Sequence, residues 1–248
     1  MRRATSLLTL LLAGCAPALR EPAPLPSLPG APADPLAEAQ QAWAARPDRA
    51  SVERALRLYL QAAEADPTGT AGLLGAAETA GWLIEHERSA AKREELVDTA
   101  MQAGQWCRKR DASNPACTYR LALAVGQQVR EHPTTAADGL PTMLGLLREA
   151  AAADPALDHG GPQRVLALVL LRAPGWPVGP GDPDEGLVQA KAASAVDPSY
   201  PPNDLVLAEA LEKTGAVDEG KALRVRAREE AARRAHEGDP DAADWLEE

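Results

Sequence analysis

The side chains with chemical potential in this chain are three cysteines and four histidines, set among many carboxylates. The histidines are scattered at His86, His132, His159 and His236, without the paired spacing of a helical metal site such as His-Glu-x-x-His. There is no Gly-x-Ser-x-Gly nucleophile motif. The carboxylates stand beside Arg and Lys, as on solvated helix faces. We therefore predict no catalytic residue, no metal site and no cofactor.

Cys15 closes a short N-terminal segment that has the make-up of an export signal. Two arginines precede an apolar run that is too short to span a bilayer. The ending Leu12-Ala13-Gly14-Cys15 resembles the lipobox of bacterial lipoproteins, which implies cleavage before Cys15 and a lipid on its thiol. We predict a signal peptide over residues 1–14 and lipidation of Cys15. The alternative is an ordinary cleaved signal with an incidental cysteine.

The residue after Cys15 bears on where the protein is sorted. Ala16 replaces the Asp that usually retains such lipoproteins in the inner membrane. The resemblance therefore implies an exported protein anchored in the outer membrane and facing the periplasm, with the cell surface as the alternative.

Cys107 and Cys117 are separated by ten residues, one near the end of a predicted helix and the other near the start of the next. The turn between them brings the two Cα atoms toward the roughly 5.5–6 Å that a disulfide needs. In an oxidising compartment this predicts a disulfide. Two reduced core thiols are the alternative, because Cys107 occupies an apolar helix position.

Residues 16–36 contain seven prolines and show neither helical nor alternating periodicity. Proline at this density favours polyproline II, which rises about 3.1 Å per residue. Residues 15–36 are therefore predicted to be the lipidated cysteine and a plain extended tether.

An Asp-Pro or Asn-Pro pair recurs along the rest of the chain. Its prolines are Pro67, Pro115, Pro155, Pro198 and Pro240, in steps of 48, 40, 43 and 42 residues. Because proline disfavours helix in the residue before it, each pair predicts a helix end. Small or apolar residues lie five, eight and twelve positions before most of these prolines, so they share one helical face.

A second helix is predicted after most of these turns, which gives a helix-turn-helix unit repeated four or five times. The unit resembles the tetratricopeptide repeat (TPR), and Ala55, Tyr59, Ala62 and Pro67 match half of that motif. The predicted fold is all-α, a TPR-like solenoid of helical hairpins over residues 37–237. Residues 238–248 form an acidic tail.

Several segments resemble the T-component (TatT-like) family of TRAP transporter lipoproteins. They are Ala42–Arg46, Ala116–Ala122, Gly161–Ala167, Ala173–Trp176 and Gly181–Pro183. The resemblance implies a non-enzymatic protein that binds a periplasmic solute-binding protein, often as a homotrimer with a pore through each subunit. An assembly or pilot lipoprotein for an outer-membrane machine is one alternative function. A small-molecule binder with a channel between repeats is another.

The irregular stretch 173–184 is the longest inside the helical region, and long loops in compact domains are often functional. Trp176 within it is a candidate partner-binding anchor. We add Asp182, Arg172 and His159 as further candidates. The alternative is a loop that folds Trp176 back over the helices.

Composition agrees with helices rather than sheet, because aromatic residues make up 3% of the chain and Phe is absent. The hydrophobic share of 45% is enough for a core of Ala, Leu and Val. A net charge of −10 with no basic cluster excludes the usual nucleic-acid binder.

Overall fold

The computed structural model describes residues 22–25 and 28–246. Within them the chain forms ten α-helices, with short 3-10 turns after α5, α6 and α10. The helices are α1 (Pro35–Ala44), α2 (Arg49–Ala65), α3 (Ala71–Glu85), α4 (Ala90–Arg110), α5 (Pro115–Glu131), α6 (Ala136–Ala153), α7 (Gly161–Arg172), α8 (Pro183–Val196), α9 (Pro201–Lys213) and α10 (Val217–His236). The all-α prediction is confirmed.

Local sequence signals explain where several helices begin. Asp48 accepts a hydrogen bond from the backbone N–H of Ser51 and so caps α2, and Asp182 caps α8 through Glu185. Proline is the first residue of α1, α5, α8 and α9, where the missing N–H leaves no hydrogen bond unmade.

The helices pack as a two-layered solenoid. Each helix contacts the next along the chain, and the odd-numbered helices also meet one another, α3 with α5 and α7 with α9. The odd-numbered helices therefore form the inner, concave layer and the even-numbered helices the outer layer.

The seam between layers repeats in register with an Asp that caps the end of each of α2, α4, α6 and α8: Asp66, Asp111, Asp154 and Asp197. Small and apolar residues four, seven and eleven positions before each Asp are all buried. They are Ala62, Cys107, Ala150 and Ala193, then Tyr59, Gly104, Leu147 and Ala190, then Ala55, Ala100, Met143 and Gly186. Nine of these twelve residues are Gly, Ala or Cys, and their small side chains allow the helices to approach closely.

Two units differ from the predicted alignment. Asn114 does not end a helix: its side chain accepts a hydrogen bond from the N–H of Ala116 and caps the start of α5, while α4 has already ended at Arg110. In α10 the seam is shifted by one residue, so that Ala231 is buried and the predicted Ala232 is exposed. Proline spacing alone therefore misplaced the boundary between α4 and α5, and it predicted the wrong buried face for α10.

Part of the predicted tether is packed against the body. The indole Nε1 of Trp106 donates to the carbonyl of Ala23 at 2.8 Å, and Leu25 and Leu28 pack against the core of the first repeats. The Gln61 amide donates to the carbonyl of Pro29 at 3.2 Å. The expectation of a plain tether is wrong for these residues, because backbone carbonyls in a proline-rich segment remain free to accept side-chain hydrogen bonds.

Candidate functional site

The concave layer lines an open cavity of about 880 Å³. Its walls come from α1, α3, α5, α6 and α7, and Asp241 lines it from near the C-terminus. The apolar part of its surface includes Leu123, Leu140, Met143, Val165, Leu168 and Val169. A pocket of this size and character falls within the range of ligand-binding sites in proteins.

Helical periodicity aims these side chains inward. On α5, Arg120, Leu123, Gln127 and Arg130 follow one another at three- and four-residue steps, so they lie on one face. The opposite face of α5 carries buried residues such as Leu121 and Val125, which hold the helix in the core. This division of faces keeps the cavity open while the layers pack.

Arginines on the cavity wall pair with carboxylates one repeat away. Arg120 donates to Glu78 at 2.6 Å and Arg130 to Glu85 at 2.8 Å, both from α5 to α3. Burial lowers the pKa of Arg130, but its hydrogen bond and charge interaction with Glu85 outweigh that effect and raise the pKa above its ordinary value. The cavity rim is therefore polar, and the positive charges of Arg120 and Arg130 are each paired with a negative charge.

Arg46, just after α1, is held by an aspartate, a backbone carbonyl and an aromatic ring. Its guanidinium donates to both carboxylate oxygens of Asp241, at 2.7 and 2.8 Å, and to the carbonyl of Trp43 at 3.3 Å. The same guanidinium lies over the Trp43 ring, 4.3 Å from its centroid. The hydrogen bonds from Arg46 to Asp241 raise the pKa of Arg46 above its ordinary value.

Trp82 presents a second feature of the cavity wall. Its ring stacks on His86 with centroids 3.8 Å apart. Its indole Nε1 is buried and has no hydrogen-bond partner among the residues that the structure describes. A buried donor without a partner is uncommon in proteins.

Of the four residues predicted to bind a partner, Arg172, Trp176 and Asp182 lie in or beside the loop between α7 and α8, and His159 lies apart from them, before α7. Arg172 lines the cavity and pairs with Glu209 of α9 at 2.8 Å. His159 lies 2.8 Å from Asp197 through Nδ1 and stacks on Tyr200. Asp182 is the N-cap of α8.

Trp176 occupies the exposed loop between α7 and α8, with 91% of its surface accessible. The alternative expectation, that this loop folds Trp176 back over the helices, does not fit that exposure. Val178 beside it is also exposed, so the loop carries a small apolar patch of the kind found in contact surfaces.

Cys107 and Cys117 lie among the described residues, and Cys15 does not. In the structure Cys107 and Cys117 form a disulfide whose Cα atoms are 5.2 Å apart, joining the end of α4 to the start of α5. Cys15 and the predicted signal peptide, residues 1–14, lie outside the described residues.

Residues 22–25 and 28–246 contain neither a candidate metal site nor a candidate membrane-spanning helix. No group of three or more His, Cys, Asp or Glu side chains is arranged there to hold a metal ion. Nor does any helix there have the length and apolarity to cross a membrane.

The fold resembles that of known TPR structures. A thermophilic TPR protein from Thermus thermophilus superposes with a TM-score of 0.61 at 22% identity, covering 84% of this chain and 93% of that one. Two crystal structures of MamA give TM-scores of 0.48 and 0.49 at 18% and 16% identity. They cover 76% and 82% of this chain and 93% and 95% of theirs. No protein-family model matches the chain, and no curated protein matches it in sequence.

The chain is therefore an all-α protein with a TPR-like helical-repeat fold, an assignment that rests on the Thermus structure and on the helix order. The sequence-based choice of site residues included Arg172 on the cavity wall but missed Arg46, Arg120 and Arg130. The sequence does contain a signal for two of them. Arg120 and Arg130 are linked through Leu123 and Gln127 by steps of three and four residues, which places them on one face of α5.

Proposed function

We propose that this chain is a non-enzymatic, lipid-anchored scaffold that faces the periplasm and binds a protein partner on its concave side, as TRAP transporter T-components do. The observation that carries the proposal is the cavity of about 880 Å³ on the inner layer, apolar within and bordered by arginine–carboxylate pairs. Concave surfaces of helical solenoids are well suited to binding an extended segment of another protein.

The chemistry of the cavity defines the partner segment. Leu123, Leu168 and Val169 favour burial of apolar side chains. Arg130 and Glu85 at the rim favour polar and charged groups beside them. Trp176 on its exposed loop supplies an additional aromatic anchor of the type that dominates protein interfaces.

The anchor and the compartment form the second half of the proposal. Leu12–Cys15 supports acylation at Cys15 and outer-membrane sorting. The disulfide between Cys107 and Cys117 agrees with an oxidising periplasm. Mass spectrometry of the native protein tests the anchor, since an unmodified Cys15 would contradict it, and Cys15→Ser is expected to release the protein from membranes.

Site-specific cross-linking tests the binding surface. A photo-cross-linking amino acid at position 168, in the cavity, is expected to capture a TRAP solute-binding component from the same organism. The same amino acid at position 225, exposed on α10, serves as the matched control and is expected to capture none. Equal capture at both positions, or capture only at 225, would contradict the proposed surface.

A small-molecule binder is a second candidate, favoured by the ligand-sized volume and the apolar lining of the cavity. Its test is a thermal-shift series with fatty acids and other organic acids. Stabilisation of the wild type that is lost in Leu168→Arg, which places a charge in the apolar cavity, is the expected result. No stabilisation of the wild type would exclude this function.

A further inference from the structure

The C-terminal segment Gly238–Leu246, which we call the clasp, closes the solenoid across the cavity. Gly238 adopts a positive φ of 91°, and the N–H of Asp239 donates to the carbonyl of Arg234, so the chain turns back after α10. Trp245 packs edge-on against Tyr200 with centroids 5.2 Å apart, and Ala242 is completely buried. Trp245, near the end of the clasp, is thus in contact with the last repeats.

The clasp reaches the first repeats through polar side chains. Asp241 pairs with Arg46, which lies 195 residues earlier in the chain, and Asp244 lies 3.2 Å from Nε2 of His86. Asp241 is also part of the cavity lining. Its carboxylate is therefore both a latch to the start of the solenoid and a group inside the candidate site.

The Arg46 pair differs in kind from the other arginine pairs of the cavity. Arg120 and Arg172 pair with Glu78 of α3 and Glu209 of α9, which are fixed in packed helices. Asp241 is carried instead by a short segment after the last long helix, with 38% of its side chain exposed. Asp241 therefore lies outside the α-helices.

Arg46 would remain a formed carboxylate site without Asp241. The Trp43 carbonyl and ring contact the guanidinium independently of Asp241 and hold it in place. A guanidinium fixed in this way binds a planar carboxylate through two parallel hydrogen bonds, the geometry that Asp241 now satisfies. Glu78 and Asp239 act on Arg46 only through charge.

We propose that Asp241 is an internal occupant of a carboxylate site at Arg46, and that the clasp is an autoinhibitory contact over the cavity. The occupant that displaces it carries a carboxylate on an apolar body, either a free organic acid or an acidic side chain of a protein segment. This proposal rests on the cavity being the binding site. It adds the chemical class of the occupant and a regulation of its entry.

Opening of the clasp is measured in the full chain carrying Cys15→Ser, with nitroxide labels at Ala45→Cys and Ala243→Cys, both exposed positions. Pulsed electron-spin resonance of the unliganded protein is expected to give one short distance. Asp241→Asn is expected to add a longer-distance population, and Asp98→Asn, exposed on α4, is the control that leaves the distance unchanged.

Binding is measured by calorimetry with octanoate and, as a neutral match, octanol. An ion pair of this partial exposure changes an equilibrium constant by about fivefold, so Asp241→Asn is expected to bind octanoate about fivefold more tightly than the wild type. Arg46→Gln is expected to lose the preference for octanoate over octanol. The blocked peptides acetyl-Leu-Asp-Leu-Leu-amide and its Asn counterpart form the second arm, which separates a protein source of the carboxylate from a free acid.

The outcomes decide the proposal. A longer label distance on adding octanoate or the Asp peptide, with tighter binding by Asp241→Asn, supports it. An unchanged distance in Asp241→Asn, equal affinities in the two proteins, or binding of neither carboxylate by either protein overturns it. Failure of the position-168 cross-link would instead count against the protein partner, and it leaves the label distances and octanoate affinities unaffected.

Discussion

Aspartate side chains at the ends of outer helices organise the turns of this solenoid. The carboxylates of Asp66, Asp111, Asp154, Asp197 and Asp239 each accept a hydrogen bond from the backbone N–H two residues later. Such Asx turns direct the chain from one helix into the next. The feature common to all five turns is therefore the aspartate carboxylate, and a proline follows it at four of the five positions.

The protonation state of these aspartates links the turns to pH. Hydrogen bonds from the hydroxyl and the backbone N–H of Ser113 lower the pKa of Asp111, and those from Gly69 and Thr68 lower that of Asp66. A carboxylate whose pKa is lowered by folding contributes stability above its unfolded pKa and loses it as pH falls through the folded pKa.

We therefore predict that Asp111→Asn lowers the thermal unfolding midpoint at pH 7. Because protonation removes the same negative charge from the wild type, the difference in unfolding midpoint between the two proteins narrows as the pH falls below about 4. Circular dichroism melts between pH 7 and acid pH measure this, with Asp98→Asn as the control. A difference that stays constant with pH would show that the Asp111 charge has no role.

Close approach of neighbouring helices depends on glycine at particular contacts. A Cβ on Gly72 of α3 would lie 2.6 Å from the backbone N of Ala63 and 2.8 Å from the carbonyl oxygen of Tyr59. Backbone atoms cannot rotate away as a side chain can, so α2 and α3 would have to separate. Gly145 in α6 is exposed, and a Cβ there would meet no atom within 4 Å.

These two glycines form a matched pair of variants. Gly72→Ala is expected to destabilise the protein by about 1–3 kcal/mol through overpacking. Gly145→Ala is expected to stabilise it by about 0.5–1 kcal/mol, since Ala is the better helix former. Urea unfolding followed by circular dichroism measures both. Similar values for the two would contradict the close α2–α3 contact.

The disulfide fastens the turn between α4 and α5. It closes a loop of ten residues, for which restriction of the unfolded chain corresponds to about 2–3 kcal/mol. We predict that Cys107→Ala with Cys117→Ala lowers the free energy of unfolding by about that amount. Mass spectrometry without reductant checks the bond itself, and finding two free thiols would remove the basis of the prediction. Reductant is expected to destabilise the wild type and leave the double variant unchanged.

The helical hairpins and their small-residue seam were predictable because both depend on local spacing. The boundary of the second repeat was not, because Asn114–Pro115 resembles a helix end yet begins α5, while the true end at Asp111 lacks a following proline. The ion pair between Arg46 and Asp241 in the cavity could not be predicted from the sequence either. Arg46 and Asp241 are 195 residues apart, and only the curvature of the assembled solenoid brings them together.

At the scale of the whole molecule, both ends of the described chain are fastened to the body. Repeats of a solenoid ordinarily contact only their neighbours, but here the clasp connects the last repeat to the first. At the other end, Gln102 and Trp106 of α4 hold the carbonyl of Ala23, at 2.7 and 2.8 Å. These contacts restrict how the solenoid opens and where its N-terminal segment leaves the surface.

The N-terminal contact determines how far the body can stand from a membrane if Cys15 is acylated as proposed. Seven residue steps separate Cys15 from Pro22, which span at most about 25 Å when fully extended. A free tether over residues 15–36 would reach much farther, so the α4 side of the solenoid is expected to face the bilayer closely.

We predict that Trp106→Ala combined with Gln102→Ala frees this segment and lengthens the tether. A nitroxide at Ala23→Cys, an exposed position in the Cys15→Ser chain, is expected to give an immobilised spectrum in the parent protein and a mobile one in the double variant, because the carbonyls of residues 23 and 24 lose their donors. Trp176→Ala, which removes an exposed tryptophan far along the chain, is the control and should leave the spectrum unchanged. If the label is equally mobile in all three proteins, the segment is not docked, and the membrane-facing orientation of α4 loses its physical basis.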